Sequence, residues 1–178
     1  MPTEWKSKRL KDVCLFRNGK GHEKLVNPKG EFVLVNSRFV STEGKIAKNV
    51  TQNLSPLEIN EIAIVMSDVP NGRAISKCFL VDKNNYYSLN QRIGGIKPLD
   101  INYKYLYYVI NQNKYYLKFD DGITQTNLRK NEVLNCPIPY PPLKEQQKIA
   151  QILTQWDEAI ETTQNLIEKL QVRKKGLM

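Results

Sequence analysis

A chain of 178 residues with an apolar fraction of 40% can bury a hydrophobic core, which excludes wholesale disorder. Its 27 lysine and arginine residues outnumber its 18 acidic residues, so the formal net charge is +9. A basic domain of this size attracts polyanions, nucleic acid first and an anionic membrane surface second, although a merely soluble basic protein carries the same charge.

Cysteine usage and hydropathy narrow the cellular setting. The three cysteines are odd in number, far apart in the sequence and form no CxxC motif. A disulfide framework is therefore not expected, and a reducing cytoplasm fits. The first twelve residues contain no apolar segment of the kind found in signal peptides. No apolar run approaches the roughly 20 residues that a membrane span needs.

Short strand-like runs dominate the first half of the chain. Residues 4–18 carry apolar side chains that can anchor a short element to a core, and a turn signal follows at Asn18-Gly19. Three strands bounded by Gly, Pro, Asn or Asp are predicted at residues 32–35, 62–66 and 78–81. The turn signal at residues 69–72 predicts that the second and third of these strands form a hairpin.

Two helical signals interrupt this pattern. Ser55 and Pro56, with Glu58 three residues after the serine, predict a short helix start. A tyrosine-rich segment predicts a longer helix over residues 103–118. Its tyrosines are expected to pack, with wet hydroxyl groups, rather than to form base-stacking platforms.

The last element is the clearest. Apolar side chains recur in alternating steps of four and three residues, which is the heptad pattern of a coiled coil. This apolar stripe consists of Ile149, Leu153, Trp156, Ile160, Thr163, Ile167 and Leu170. A helix from residue 143 to about residue 174 would be roughly 48 Å long. We therefore predict a partner helix; the alternative is a helix that lies back on its own domain.

These patterns predict an α+β fold: a strand-rich domain with short helices over residues 1–142, then one long coiled-coil helix over residues 143–178. Family-like motifs occupy the C-terminal third, which reads GITQTNLRKNEVLNCPIPYPPLKEQQKIAQIL from Gly122. The residues at the motif positions are Pro139, Pro141, Pro142, Leu143, Glu145, Gln146, Ile149, Lys174, Lys175, Leu177 and Met178. They resemble the P-x-P-P-L, E-Q-x-x-I and K-K-x-L-M motifs of Type I restriction-modification specificity (S) subunits. Trp5, Leu10 and Gly19 resemble that family's domain start, and residues 90–98 (NQRIGGIKP) resemble its mid-domain segment.

The resemblance implies a DNA target-recognition domain over residues 1–142 and a dimerisation and spacer helix over residues 143–178. The usual S subunit carries two recognition domains and two such helices, whereas this chain holds one of each, as a half-length subunit or a fragment would. The implied partners are double-stranded DNA, methyltransferase and endonuclease subunits, and a second copy or second S half. Two helices pairing antiparallel would space two half-sites of a bipartite DNA site. The resemblance implies no catalysis and no cofactor in this chain.

Base reading uses Arg or Lys for guanine and Asn or Gln for adenine, while Lys, Arg and hydroxyl groups contact phosphates. We take the polar residues of the turns between strands, such as Asn36-Ser37-Arg38, as candidates. The DNA-binding candidates are Arg38, Ser67, Arg73, Asn90, Gln91, Arg92, Gln125, Asn127, Arg129 and Lys130. The three best direct readers are Arg38, Arg73 and Arg92, and the expected phosphate partners are Lys20, Lys24, Lys45, Lys48 and Lys130. The expected helix-pairing residues are Ile149, Leu153, Trp156, Ile160, Ile167 and Leu170.

The residue inventory argues against an enzyme. Residues 139–142 (PYPP) lack the leading Asn or Asp of an adenine methyltransferase loop, and no Gly-rich cofactor turn occurs. His22 is the only histidine, which excludes a multi-histidine metal site. Residues 43–45 (EGK) have the E-x-K form of a nuclease centre, but such tripeptides are common. The main alternative is a basic coiled-coil scaffold that does not read DNA, which explains the helix and the charge but not the strand-rich polar turns.

Overall fold

The computed structural model describes residues 5–69, 74–120 and 124–176. Its strands are β1 (Lys6–Arg9), β2 (Cys14–Asn18), β3 (Phe32–Val35), β4 (Asn49–Val50), β5 (Ile62–Val65), β6 (Ser67–Asp68), β7 (Cys78–Leu80), β8 (Tyr87–Leu89), β9 (Ile93–Pro98), β10 (Thr126–Asn127) and β11 (Pro137–Tyr140). Its helices are α1 (Ser37–Ser41), α2 (Tyr103–Ile110), α3 (Lys114–Leu117), α4 (Lys130–Leu134) and α5 (Leu143–Gly176). The predicted α+β class, strand-rich body and long C-terminal helix are confirmed.

A four-stranded antiparallel sheet, in the order β2-β9-β5-β7, forms the middle layer of the body. Its central strand β5 is buried along its whole length because it is apolar on both faces. Ile62 and Ile64 face one hydrophobic core, and Ala63 and Val65 face a second. The sheet therefore separates two cores, each covered by a different set of elements.

The first core lies under the helices. It brings together side chains from α2, α3, α4 and β11, with Tyr116 and Leu106 fully buried. The second core lies under a three-stranded sheet of order β4-β3-β8, in which β3 and β8 are parallel. There Phe79 meets Phe39 and Tyr87 edge-to-face, with ring centroids 4.9 and 5.0 Å apart.

The predicted strands occur where expected. The runs at residues 32–35, 62–66 and 78–81 appear as β3, β5 and β7, the latter two each one residue shorter. β5 and β7 pair antiparallel, with Ile62 opposite Leu80 and Ile64 opposite Cys78. The pairing expected of a hairpin is thus present, and the turn residues 70–73 lie outside the described part of the chain.

The helix start predicted at Ser55 is wrong. Pro56 instead forms a bridge to Ser88, and the backbone N–H of Leu89 donates to the Ser55 carbonyl at 2.8 Å. The backbone of this segment is therefore satisfied by β8, and an extended conformation replaces the helical turn.

The single helix predicted over residues 103–118 is also wrong, because the segment breaks into α2 and α3. The side chain of Asn111 accepts from the Cys78 N–H at 2.9 Å, and Gln112 takes a left-handed φ of +50°. Asn113 then caps α3 by accepting from the Tyr115 N–H at 2.8 Å. The tyrosines do pack: Tyr105 and Tyr116 are buried, and their hydroxyls donate to the carbonyls of Pro139 and Val133.

The long helix α5 has 34 residues, so the boundaries predicted for it are correct to within two residues. Gln146 and Ala150 are buried, and the Gln146 side chain accepts from the Asn102 N–H at 2.9 Å. The Tyr108 hydroxyl donates to the Asp157 carboxylate at 2.7 Å. From residue 155 to residue 176 every helix residue is exposed, so only the first part of α5 lies on the body. In the described part of the chain no helix is long and apolar enough to cross a membrane.

Candidate nucleic-acid interface

The strand pairing brings four chain segments to one edge of the body. Parallel strands share an edge at their carboxyl ends, so the residues after β3 and β8 meet there. The backbone N–H of Asn90 accordingly donates to the Val35 carbonyl at 3.0 Å. The antiparallel pair of β5 and β9 adds the residues after Val65 to the same edge, and the antiparallel pair of β6 and β10 adds Gln125 beside them.

These segments form a polar concavity of about 360 Å³, here named the reader cleft. Its polar lining consists of Asn36, Ser37, Ser67, Asp68, Asn90, Gln91, Arg92 and Gln125. Five of the ten residues predicted from the turns, from three separate stretches of sequence, therefore line one surface. Amide and guanidinium groups grouped in this way can hydrogen-bond to base edges.

The loop at Asn90–Arg92 is held by its backbone. The Gln91 N–H donates to the Lys20 carbonyl at 2.9 Å, and the Met66 N–H donates to the Arg92 carbonyl at 3.0 Å. Gly19 lies so close to the loop that a Cβ there would stand 1.9 Å from the Asn90 carbonyl oxygen. Arg92 itself has a left-handed φ of +66° and an exposed side chain. The loop thus presents Arg92 from a fixed backbone.

A small hydrogen-bond network fixes the amide groups at the other wall. The buried Ser67 hydroxyl donates to the Asn127 side-chain oxygen at 2.8 Å and accepts from the Gln125 amide nitrogen at 2.7 Å. The Asn127 amide nitrogen in turn donates to the Gln125 carbonyl at 3.2 Å. Asn127 is therefore bonded at both ends of its amide, whereas the exposed Gln125 is bonded to Ser67 through its amide nitrogen and lines the cleft.

The side-chain amides of Asn90 and Gln91 differ in their hydrogen bonding. The side-chain oxygen of Asn90 is buried without a hydrogen-bond partner, and the Gln91 amide donates to the Glu23 carboxylate. Asp68 adds an acid to the cleft, but its carboxylate accepts from the N–H groups of Ala74 and Ile75 at 2.6 and 3.1 Å. That carboxylate is therefore already engaged by the backbone of residues 74 and 75.

The remaining candidates lie elsewhere. Arg38 is exposed on α1, and its neighbours Asn36 and Ser37 line the cleft in its place. Arg129 caps α4, its backbone N–H donating to the Glu132 carboxylate at 2.7 Å, and Lys130 lies 5.8 Å from the Phe16 ring centroid. Arg73 is outside the described residues.

Sequence reasoning missed that residues 19–23 support the loop at Asn90–Arg92. His22 is buried, with Nδ1 2.7 Å from the Lys20 carbonyl and Nε2 2.7 Å from the Ser88 hydroxyl. Residues 19–23 thus hold the loop at Asn90–Arg92 in place. The only local sequence signal of this contact was a lone histidine beside a Gly-Lys-Gly turn. No group of His, Cys, Asp and Glu that could hold a metal ion occurs within residues 5–69, 74–120 and 124–176.

A second surface lies on α5, where the predicted apolar stripe is exposed from Leu153 onwards, whereas its first residue, Ile149, is partly buried against the core beneath the helices. Trp156, Ile160 and Leu170 are each at least half exposed, at 65%, 52% and 53%. The residues that contact the body, Gln146, Ala150 and Asp157, occupy a neighbouring face, roughly 90° away at 3.6 residues per turn. The stripe is therefore free along most of the helix while the body is already packed.

The cleft carries the kinds of side chain that nucleic-acid-binding proteins use, and comparison with known proteins identifies the family. The profile of the family described as Type I restriction modification DNA specificity domain matches residues 2–172. The chain belongs to this family.

Individual relatives agree with this assignment. The chain is 26% identical to the Type I restriction enzyme MjaVIII specificity subunit of Methanocaldococcus jannaschii, over all of this chain and 42% of that protein. The fold is similar to the Type I S subunit of M. genitalium, with a TM-score of 0.72 and 21% identity over 94% of this chain and 42% of the other. A chain solved in work on complex assembly and conformational transition of the type I R-M system gives a TM-score of 0.71 and 17% identity, over 91% of this chain and 40% of the other. The chain spans less than half the length of each.

Proposed function

We propose that this chain is a DNA-reading part of a Type I specificity subunit and recognises one half of a bipartite site in double-stranded DNA. The observation that carries the proposal is the reader cleft, in which Arg92, Gln125 and Asn90 come together in a chain of this family. Guanidinium and amide groups are the usual readers of guanine and adenine in the major groove. The net charge of +9 favours the phosphate backbone.

The reaction partners belong to the same proposal. The curated relative is named a specificity subunit of a restriction enzyme, and such a subunit supplies the address while methyltransferase and endonuclease subunits supply the chemistry. The reader cleft fits this division because its polar lining consists of hydrogen-bonding side chains on a backbone that strand pairing holds in place. This chain would therefore direct its partners and catalyse nothing itself.

Helix α5 would set the spacing. Its 34 residues amount to about 51 Å, longer than the roughly 34–36 Å of one DNA turn. We propose that the exposed apolar stripe pairs antiparallel with a second copy or a second S half, which buries both stripes and places two readers on one duplex. In functional terms the chain would divide at residue 142, into a target-recognition domain and a dimerisation and spacer helix.

Selection from a randomised duplex pool tests the proposal. The full chain should enrich a short half-site, and two copies of that half-site at a fixed spacing if α5 pairs. The variant Arg92→Ala with Gln125→Ala should lose the motif, whereas the charge-matched variant Arg129→Ala with Gln147→Ala, outside the cleft, should keep it. Enrichment of no motif by the unaltered chain would favour the basic scaffold instead.

A further inference from the structure

A second basic concavity, of about 790 Å³, lies on the body away from the reader cleft. It is formed by β1 and the turn after it, together with the ends of α3 and α4, and is here named the β1 hollow. Its charged lining comprises Lys8, Arg9, Lys11, Asp12 and Lys118. None of these residues is among the candidates drawn from the sequence.

The positive charge of the β1 hollow is not neutralised by the described chain. The Asp12 carboxylate is occupied by the backbone N–H of Arg9, at 2.9 Å. Within the described residues, ion pairs are formed by Arg17 with Glu61 and by Lys97 with Glu58, and neither involves the hollow. Four cations against the single carboxylate of Asp12 leave the hollow with a formal charge of +3, and this positive potential attracts anions.

Neutral groups hold these cations in place. The Lys118 and Lys8 ammonium groups lie 3.8 Å from the ring centroids of Tyr115 and Tyr140, respectively. An Arg9 guanidinium N–H donates to the Asn135 side chain at 3.1 Å. The cations are thus oriented and keep donors to offer to an incoming ligand.

The β1 hollow and the reader cleft lie within reach of one DNA duplex. Asn135 lines the hollow, while Asn127 is bonded to Ser67 of the cleft. The eight residue steps between them span at most about 28 Å even when fully extended, and α4 shortens the path. That distance is less than the roughly 34–36 Å of one helical turn of DNA.

We infer that the β1 hollow binds the phosphate backbone of the duplex whose bases occupy the reader cleft; this inference rests on the proposed function. Lys and Arg side chains with small polar groups such as Ser7 and Asn135 are the usual phosphate contacts. A docking surface for a protein partner would have an apolar centre, whereas here Pro137 and the lysine-covered Tyr115 are the apolar contributions. The hollow contributes affinity without sequence preference.

The test compares two double variants of the full chain. Lys11→Glu with Lys118→Glu alters the hollow, and Lys29→Glu with Lys83→Glu is the control, since all four lysines are exposed and both variants lower the net charge equally. Lys118 and Lys83 each cover a tyrosine ring, so the control also matches that loss. Thermal unfolding should show that both variants fold.

The expected result is a smaller salt dependence for the hollow variant alone. Loss of two phosphate contacts lowers the slope of log affinity against log salt by about 1.8, so between 50 and 200 mM salt the unaltered chain loses about 12-fold more affinity than the hollow variant. The affinity ratio between selected and scrambled duplexes should stay unchanged. Equal slopes for the two variants, or a fall in that ratio for the hollow variant, would overturn the inference.

A protein partner gives a different outcome. If the hollow variant binds DNA like the control but fails to assemble with the methyltransferase subunit, the hollow docks protein and the inference is wrong. Failure of the proposed function can be told apart from failure of this inference. If the unaltered chain has no sequence preference, the salt dependence of the two double variants can still be compared.

Discussion

Arg92 shows how the body constrains a single side chain. Its φ of +66° lies in the left-handed region, which costs a non-glycine residue roughly 1–2 kcal/mol. Hydrogen bonds from Met66 to the Arg92 carbonyl and from Gln91 to the Lys20 carbonyl retain this conformation. Backbone strain that neighbouring contacts maintain is common at binding sites. Here the strained backbone conformation places the exposed Arg92 guanidinium group at the reader cleft.

Replacing Arg92 by alanine should weaken specific binding more than non-specific binding. A lost bidentate contact to guanine reduces discrimination by about 1–3 kcal/mol, or roughly 5- to 150-fold. Alanine, like arginine, has a Cβ, so the backbone strain and the folding free energy should change little. Competition between selected and scrambled duplexes measures the ratio. Arg129→Ala, outside the cleft, is the control, and an equal loss on both duplexes would make Arg92 a phosphate contact.

Ser67→Ala should loosen the opposite wall of the cleft. The buried hydroxyl bonds the exposed amides of Gln125 and Asn127, so its removal loses two hydrogen bonds that water can partly replace and should cost about 0.5–1.5 kcal/mol of unfolding free energy. Urea denaturation measures that loss, and the duplex competition should show reduced discrimination as Gln125 becomes mobile. Ser41→Ala, whose hydroxyl donates to the Arg38 carbonyl, should change neither quantity. Unchanged discrimination in Ser67→Ala would remove Gln125 from the readers.

The sequence predicted where these residues lie along the chain but not which of their groups are free. Polar residues after strands project from an edge, and this argument placed Asn90, Arg92 and Gln125 in turns. The contacts that occupy Asn127 and Gln91 come from Ser67 and Glu23, which are 60 and 68 residues away in the sequence. Such contacts depend on strand pairing, in particular on the parallel pair of β3 and β8, which no local pattern signals.

At the scale of the elements, the same limit explains the broken helix. The apolar periodicity of residues 103–118 is genuine, since Tyr105, Leu106 and Tyr116 are all buried. What ends α2 is a tertiary contact, in which the Asn111 side chain binds the edge of β7 at the Cys78 N–H. Two asparagines flanking Gln112 were the local signal for a C-cap followed by an N-cap.

Helix α5 is the element that the sequence predicted best, because its heptad pattern and its length are local features that do not depend on tertiary contacts. Charged substitutions in the stripe, Ile160→Glu with Ile167→Glu, should abolish the proposed pairing while leaving the body folded. Both side chains are about half exposed in the single chain and belong to neither core, so the cores of the body are unaltered. Sedimentation velocity should show monomers, and circular dichroism should show less helix because an isolated helix end is only marginally stable.

The control for that experiment lies on another face of the same helix. Gln151→Glu with Thr162→Glu adds the same charge away from the stripe, and association should persist. Unchanged association of the stripe variant would show that α5 pairs through other residues or not at all.

At the scale of the whole molecule, the three cysteines lie together in one of the two cores. Cys14, Cys78 and Cys136 are all buried in the core beneath the helices. Burial raises the pKa of the Cys14 thiol from 9.0 to about 12 and raises the pKa values of Cys78 and Cys136 as well. Tyr107 behaves similarly, since burial raises its pKa to about 12. Each of these groups is held neutral by the fold well above its ordinary range.

The stability of the body should therefore fall at alkaline pH. The unfolded Cys14 thiol loses its proton near pH 9, whereas the folded one keeps it to about pH 12, so its contribution is complete below pH 9 and is lost as the pH rises to 12. Each such proton adds a slope of about 1.4 kcal/mol per pH unit to the unfolding free energy in that window. Urea denaturation at several pH values measures the slope. Cys14→Ala should reduce this slope by the contribution of one proton. Val13→Ala removes part of a buried neighbour without a titrating group, so it should lower stability at every pH and keep the slope. If Cys14→Ala retains the full slope, the buried thiol is not what links folding to pH.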